Sequence, residues 1–272
     1  MVNTGDIKEL QKPSILFNNY GSGPREGEAF VTDHIFSYII SGTQEIWSGN
    51  QEYVFNAGDY RFFRRNQLTK YSKRPGQHGF KSIAVHIDQG TLQEMAELYG
   101  DYDKKPYQGK DVELLTPNSY LENYINSLPP YLDASCAFKE ALIVLKAKEL
   151  VLLLLQTNPE IRHALFDFDV PGKIDLVAFM NTHYRYNVGL DRMAYLTGRS
   201  LSTFKRDFKR TFNTTAGRWL TRRRLEEANY LITQKGKTAS EIYLDLGFED
   251  LSHFSYAYKN AFGKAPSQQG RL

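Results

Sequence analysis

With 272 residues, 41% hydrophobic and 24% charged, the chain has the composition of a folded globular protein long enough for two cores, which excludes disordered and fibrous classes. Its single cysteine, Cys136, excludes an intramolecular disulfide framework and a cysteine-rich zinc site; residues 1–13 hold no apolar signal core, and no apolar run nears the roughly 18 residues that span a bilayer, so a cytoplasmic protein without membrane contact is expected. The net charge of +3 conceals a split, because residues 171–272 carry 17 Lys and Arg against 9 Asp and Glu while the remainder carries 17 against 22, which points the C-terminal part at a polyanion.

In chain order, residues 30–88 read as short strands rich in Tyr, Phe, Ile and Val, separated by the turn signals Ser41-Gly42, Ser48-Gly49-Asn50, Ala57-Gly58-Asp59 and Pro75-Gly76. That spacing predicts a small antiparallel barrel or sandwich. Runs 34–40 and 81–87 alternate only partly, as strands covered on both faces do. After Gly90 the pattern turns helical, over 91–98, 111–128 and 138–156. The third of these is apolar on more than one face from Ala141 to Leu155, which predicts burial on most sides: against its own barrel, against its twin in a homodimer, or both. Segment 167–172, closed by Pro171 and Gly172, reads as a linker, and everything after it reads as helix.

A weak internal repeat organises this helical part. Residues 201–212 align with 251–262, so that Leu, Ser, Phe, Lys and Phe recur fifty positions later. A short helix precedes each copy, at 191–197 and 240–246, closed by Gly198 or Gly247; helix, glycine turn, helix is the helix-turn-helix unit. At 100° per residue, Leu201, Phe204, Phe208 and Phe212 form an apolar stripe, and the opposite face carries Thr203, Arg206 and Arg210 flanked by Ser202 and Lys209. Hydroxyls and an arginine in the first two turns suit base edges in a major groove, and further cations suit phosphates. The second copy keeps the stripe in Leu251, Phe254, Tyr258 and Phe262, but its outer face is His253, Tyr256 and Asn260 flanked by Ser252 and Lys259, with far less charge. Between the copies, residues 217–234 read as one connecting helix, whose Arg223 and Arg224 face two readings: contact with the DNA backbone, or surface ion pairs with Glu226 and Glu227.

The C-terminal sequence resembles the AraC/XylS family of bacterial transcription regulators over 174–271. The match includes Met193-Ala194, Gly198, Ser200, Phe208-Lys209-Arg210, Arg224-Leu225-Glu226-Glu227-Ala228, Ile242, Gly247-Phe248, His253-Phe254-Ser255, residues 258–263 and Pro266-Ser267. Asn213, Ala216, Tyr243 and Tyr256 depart from the family's usual Gly, Pro, Ala and Arg. The N-terminal half resembles the cupin-type sensory domain often joined to this module, on Gly58 to Asn66. The resemblance implies an α+β chain of two domains: a cupin-like β-barrel with following helices at 1–166, for sensing and dimerisation, and an all-α tandem helix-turn-helix domain at 171–272. The expected contacts to double-stranded DNA are Ser202, Thr203, Lys205, Arg206, Lys209, Arg210, Ser252, His253, Tyr256 and Lys259.

A clustered metal-binding cupin set is not present, since His34, His78 and His86 are scattered and Tyr71 stands near where a last histidine would fall, so a metal-free barrel is expected. Tyr38, Trp47, Phe62, Arg64, Tyr71 and His86 are the candidates for contact with a small-molecule effector. Three functions compete: a regulator controlled by an effector in the barrel, an effector-independent activator of RNA polymerase whose barrel only dimerises through 138–156, and a cupin enzyme tethered to DNA. No catalytic triad, phosphate loop or paired-carboxylate pattern stands out, so neither catalytic residues nor a cofactor is expected.

Overall fold

The computed structural model describes residues 12–21, 23–49, 51–99, 107–132 and 138–269. Cys136, the turn residue Asn50, the opening residues 1–11 and Arg271 lie outside the described residues. The chain divides between Phe168 and Asp169 into two compact units.

In the first unit the strands are β1 (Ser14–Tyr20), β2 (Arg25–Val31), β3 (His34–Ser41), β4 (Thr43–Ser48), β5 (Gln51–Asn56), β6 (Tyr60–Phe63), β7 (Gln67–Arg74), β8 (Phe80–Ile87) and β9 (Val112–Leu115). They form two antiparallel sheets, in the orders β1-β8-β3-β6-β9 and β2-β7-β4-β5. Val31, Ile39, Ile46, Phe55, Phe63 and Val112 pack between the sheets. The alternate residues of the first sheet, Phe36, Phe62, Ile83, Val85 and Ile87, face helices on its other side. Those helices are α1 (Gln89–Tyr99), α2 (Ser119–Asn126), α3 (Lys139–Thr157) and α4 (Arg162–Leu165). A sheet covered on both faces is why the strand pattern alternates only in part: both β3 and β8 bury residues of both parities.

Two boundaries of the first unit differ from the sequence expectation. Strands begin at Ser14, ahead of residue 30, because β1 and β2 pair with β8 and β7. Segment 111–128 is not one helix: Val112–Leu115 joins β6 as an edge strand, and α2 starts only after Asn118, whose Oδ1 accepts the Leu121 N–H at 3.0 Å. In α3, Ile143, Ala147, Leu150, Val151 and Leu154 are buried, while Leu145 and Leu152 face outward at 61% and 40% exposure.

The second unit holds α5 (Leu176–His183), α6 (Leu190–Leu196), α7 (Leu201–Phe212), α8 (Ala216–Lys235), α9 (Ala239–Ile242), α10 (Leu251–Phe262) and α11 (Pro266–Gln269). Side chains at the N-caps set the starts of four of them: Asp175 for α5, Ser200 for α7, Thr215 for α8 and Asp250 for α10. Left-handed residues set the ends of α7, α8 and α10, at Asn213, Gly236 and Gly263. The helix that opens the second helix-turn-helix copy, expected at 240–246, is the single turn α9; Leu246 and Gly247 continue from it as hydrogen-bonded turns. No helix of the described residues is long and apolar enough to cross a membrane.

Candidate nucleic-acid interface

Helix α7 is held by its apolar side. Phe204 and Phe208 are fully buried, and Phe208 stacks on Phe212 at 4.3 Å and meets Trp219 of α8 edge-on at 5.9 Å. Leu201, placed in the same stripe by the helical wheel, is instead 39% exposed, as is its counterpart Leu251. The first turn of each helix projects beyond the core. The buried flank also contains a charge, Asp207, which accepts from Arg199 Nε at 3.2 Å, with both side chains under a tenth exposed. Arg199 holds the Asp207 carboxyl below the usual carboxylate range, with Lys173 at 3.4 Å adding to the effect. Arg199 also donates to the carbonyls of Thr197 and Ile174. It therefore ties the turn that precedes α7 to the helix itself, fixing which face α7 turns outward.

That outward face carries Ser202, Lys205, Arg206, Lys209 and Arg210, all exposed, with Thr203 half-buried. Ser200 Oγ donates to Thr203 Oγ1 at 3.0 Å and lies 3.1 Å from Ser202 Oγ, so the three hydroxyls form one polar tip at the helix start. The side chains of Arg206 and Arg210 are 75% and 76% exposed and lean on Asp207 from 3.9 and 3.5 Å, contacts weak enough in water to be exchanged for a stronger anion. Gly198, at φ +65, makes the turn before α7, and any Cβ there would collide with the backbone of Gly172 and Lys173.

Helix α10 has the same plan with different chemistry. Phe254 and Tyr258 are fully buried, and the Tyr258 hydroxyl donates to Asn229 of α8 at 2.8 Å. Ser252, His253, Tyr256 and Lys259 are exposed, Tyr256 by 68%. The His253 ring meets Phe248 edge-on at 5.9 Å, which leaves it at the helix start with limited freedom. Gly247, at φ +79, sits where a Cβ would stand 2.5 Å from the Arg185 carbonyl.

The arginines of the connecting helix have different partners. Arg222 and Arg223 make i,i+4 and i,i+3 pairs with Glu226 at 3.5 and 4.0 Å, and Arg223 also lies over the Tyr184 ring at 4.8 Å. Arg224 turns inward: it donates to the carbonyls of Tyr184, Tyr186 and Gly247 at 2.7, 2.9 and 2.7 Å. Tyr184 and Tyr186 precede α6, and Gly247 precedes α10, so one guanidinium fork fastens both helix-turn-helix units to α8. Glu227 pairs with Arg185 at 2.8 Å. The periodicity of 217–234 foretold the helix, but not which arginine it would turn inward.

The six effector candidates do not come together. Tyr38 and Phe62 lie on the helix-covered face of the first sheet, Tyr38 against Tyr60 at 4.6 Å and Phe62 stacked on His34 at 5.3 Å. Tyr71 packs into the space between the sheets, and His86, alternating with Val85 and Ile87, falls on the same side, where burial lowers its pKa. Trp47 alternates with the inward Ile46 and so lies on the far face of the second sheet, and Arg64 stacks over Tyr107 at 5.9 Å. No group of three or more His, Cys, Asp and Glu able to hold a metal ion occurs among the described residues.

Residues 193–271 match the family model described as a helix-turn-helix domain, and residues 34–164 match the ExsA N-terminal regulatory domain. The chain is 25% identical over 236 residues to the thermoregulatory protein LcrF of Yersinia pestis, an alignment covering 85% of this chain and 87% of that one. It is 27% identical over 241 residues to the HTH-type transcriptional regulator ExsA of Pseudomonas aeruginosa, covering 85% and 83%. Among solved structures, an apo ToxT variant from Vibrio cholerae aligns over 95% of this chain and 96% of that one, at 13% identity and a TM-score of 0.47.

Proposed function

Because the chain belongs to the AraC/XylS family and is a DNA-binding transcription regulator, we propose that α7 does most of the sequence reading at its operator, that α10 grips phosphate with weaker base contact, and that a small molecule held in the N-terminal unit governs the outcome. The observation that carries this division of labour is the contrast between the four exposed cations of α7, Lys205, Arg206, Lys209 and Arg210, and the single Lys259 on the corresponding face of α10. Arg offers two donors to guanine O6 and N7, whereas Tyr256 at the equivalent place offers one hydroxyl and a ring, better suited to backbone and methyl contacts. Arg224 supports the reading from the inside, because a regulator that reads successive grooves needs its two readers on one rigid connector.

The names of relatives such as the virulence regulon transcriptional activator VirF of Yersinia enterocolitica support activation as the protein's mode of action, and we infer that it engages RNA polymerase at its promoters. It works as a homodimer joined through α3, whose outward Leu145 and Leu152 stand seven residues apart, the spacing of a helix–helix seam. Genome-wide binding of the tagged protein tests the function: peaks concentrated upstream of genes whose transcripts fall on deletion are expected, and binding without transcript changes would contradict activation. Sedimentation of the parent and of the variant carrying both Leu145→Glu and Leu152→Glu tests the seam, where a dimer that persists in the variant would place the interface elsewhere.

A further inference from the structure

The space between the two sheets of the N-terminal unit holds positive charge that no ion pair among the described residues offsets. Arg61 on β6 is 1% exposed. Its guanidinium donates to Gln44 Oε1 at 2.8 Å and Ser37 Oγ at 2.7 Å, both neutral, and its Nε has no hydrogen-bond partner among the described residues. Phe55 and Phe63 flank it, with ring centroids 5.2 and 5.3 Å away. Directly across the second sheet from Gln44 stands Lys73 of β7, and residues paired across strands share a face, so Lys73 points into the same interior. Its ammonium lies over the rings of Tyr71 and Phe80 at 5.0 and 5.5 Å. Arg25, the register partner of Lys73 on β2, covers the Tyr20 ring at 4.1 Å, and the buried Tyr20 hydroxyl has no hydrogen-bond partner among the described residues.

Asp59 is the carboxylate that acts on Arg61, but only at a distance, and its Oδ2 is engaged by the Asn56 N–H at 2.7 Å. Among the described residues neither Arg61 nor Lys73 makes an ion pair. Burial pulls Arg61 down to about 9, and burial aided by repulsion from Arg61 and Arg25 pulls Lys73 down to about 8, so both stay protonated at neutral pH. Two neutral acceptors offset the desolvation of a buried cation only in part, and a fold indifferent to charge here would carry a hydrophobic residue instead. Convergent cations with aromatic and hydroxyl walls are the surroundings that recognise an oxyanion on an apolar body.

We propose that the interior between the two sheets is an anion site, in which Arg61 and Lys73 hold the carboxylate or phosphate of a small molecule whose apolar body lies against Tyr71, Phe80 and Phe55. This rests on the reading that a small molecule in this unit controls the regulator, and adds its charge and the residues that receive it. None of the six effector candidates except Tyr71 takes part. The sequence signal was Arg61 alone on an otherwise aromatic strand, Tyr60-Arg61-Phe62-Phe63, where a period of two turns the arginine inward.

Thermal unfolding of the full chain at constant ionic strength tests it, using benzoate, hexanoate and phenyl phosphate against the uncharged benzyl alcohol and 1-hexanol. At tenfold excess over its dissociation constant, an oxyanion probe is expected to raise the transition of the N-terminal unit by roughly 3–5 °C, with no shift from the alcohols. The ranking of carboxylates against phosphate identifies the head group. Lys73→Met keeps the aliphatic stem of a partly exposed residue, so it folds, raises the ligand-free transition by removing repulsion, and weakens oxyanion binding about tenfold by calorimetry. Arg61→Met is the companion variant, expected to abolish the response. Equal stabilisation by alcohols and acids, no response to any oxyanion, or benzoate binding that survives both variants would overturn the site. Operator affinity measured in parallel separates the two readings. Oxyanion binding that leaves operator affinity unchanged keeps the site and removes effector control. An uncharged molecule that binds this unit and changes operator affinity keeps effector control and overturns the anion site.

Discussion

Arg199 and Lys173 reach the same carboxylate, Asp207, yet they differ in what their loss would do. The Arg199 side chain is buried and bonds three partners, Asp207 and the carbonyls of Thr197, in the turn before α7, and of Ile174, just before α5, whereas the Lys173 side chain is 61% exposed. Truncating a buried ion-pair partner strands its mate, and an exposed pair contributes little. Arg199→Met is therefore expected to lower the thermal transition of the C-terminal unit and weaken operator binding together, with Lys173→Met close to the parent in both. Recovery by Arg199→Lys should be partial, because a point charge cannot reproduce the fork. Unchanged operator affinity in Arg199→Met would show that α7 holds its orientation without this contact. The Arg199–Asp207 pair was invisible in the sequence, because a helical wheel scores Asp207 as a polar residue at the edge of the stripe and has no means to bury it.

At the scale of elements, α8 earns its rigidity from Arg224 as much as from its apolar face of Trp219, Leu220, Leu225, Ala228 and Ile232. Each bond from a charged donor to a carbonyl contributes on the order of 1.5–3 kcal/mol, and the three share one side chain and do not add fully. Arg224→Met is expected to destabilise the C-terminal unit by about 3 kcal/mol in urea unfolding, with Arg222→Met within about 0.5 kcal/mol of the parent as a surface residue. Equal effects from the two would reduce Arg224 to a surface residue. The helix-turn-helix pair was legible because local chemistry dictates it: Ser200 and Asp250 as caps, Gly198 and Gly247 in the turns, and phenylalanines at helical spacing. Edge strand β9 was not, since four residues, Val112 to Leu115, fit a helical or an extended period equally until β6 is there to pair with.

For the molecule as a whole, His34 links the fold of the N-terminal unit to pH. It is fully buried, accepts the Arg65 N–H at 3.3 Å through Nδ1, and stacks on Phe62. Burial first, then the positive charges of Arg65 and Arg64, push it down to about 3. The folded state therefore holds it neutral, while the unfolded chain takes up a proton near pH 6.5; between these values the unfolded state binds more protons, so stability is lost as pH falls from about 6.5 toward 3. Urea midpoints of the N-terminal unit should drop from pH 7 to pH 5, and His34→Asn, which keeps an acceptor without titrating, should flatten that slope. A slope unchanged by the substitution would assign the acid sensitivity to other groups. The barrel-or-sandwich expectation and the basic C-terminal end were readable from turn spacing and charge. The convergence of Arg61 and Lys73 was not, because it depends on the register that sets Gln44 across from Lys73.

The central claim is that α7 reads and α10 holds. Arg206 and Tyr256, fifty positions apart, occupy the same place on the two helices, so they form a matched pair for testing it. Selection of bound sequences from a randomised DNA pool, run on the parent, Arg206→Ala and Tyr256→Ala at one salt concentration, measures specificity and affinity together. Arg206→Ala is expected to flatten the preferred sequence at one half of the site and to cost roughly 1–3 kcal/mol there. Tyr256→Ala is expected to weaken all sequences alike and leave the preferred motif intact. Equal loss of sequence preference from both substitutions would contradict the division between the two helices.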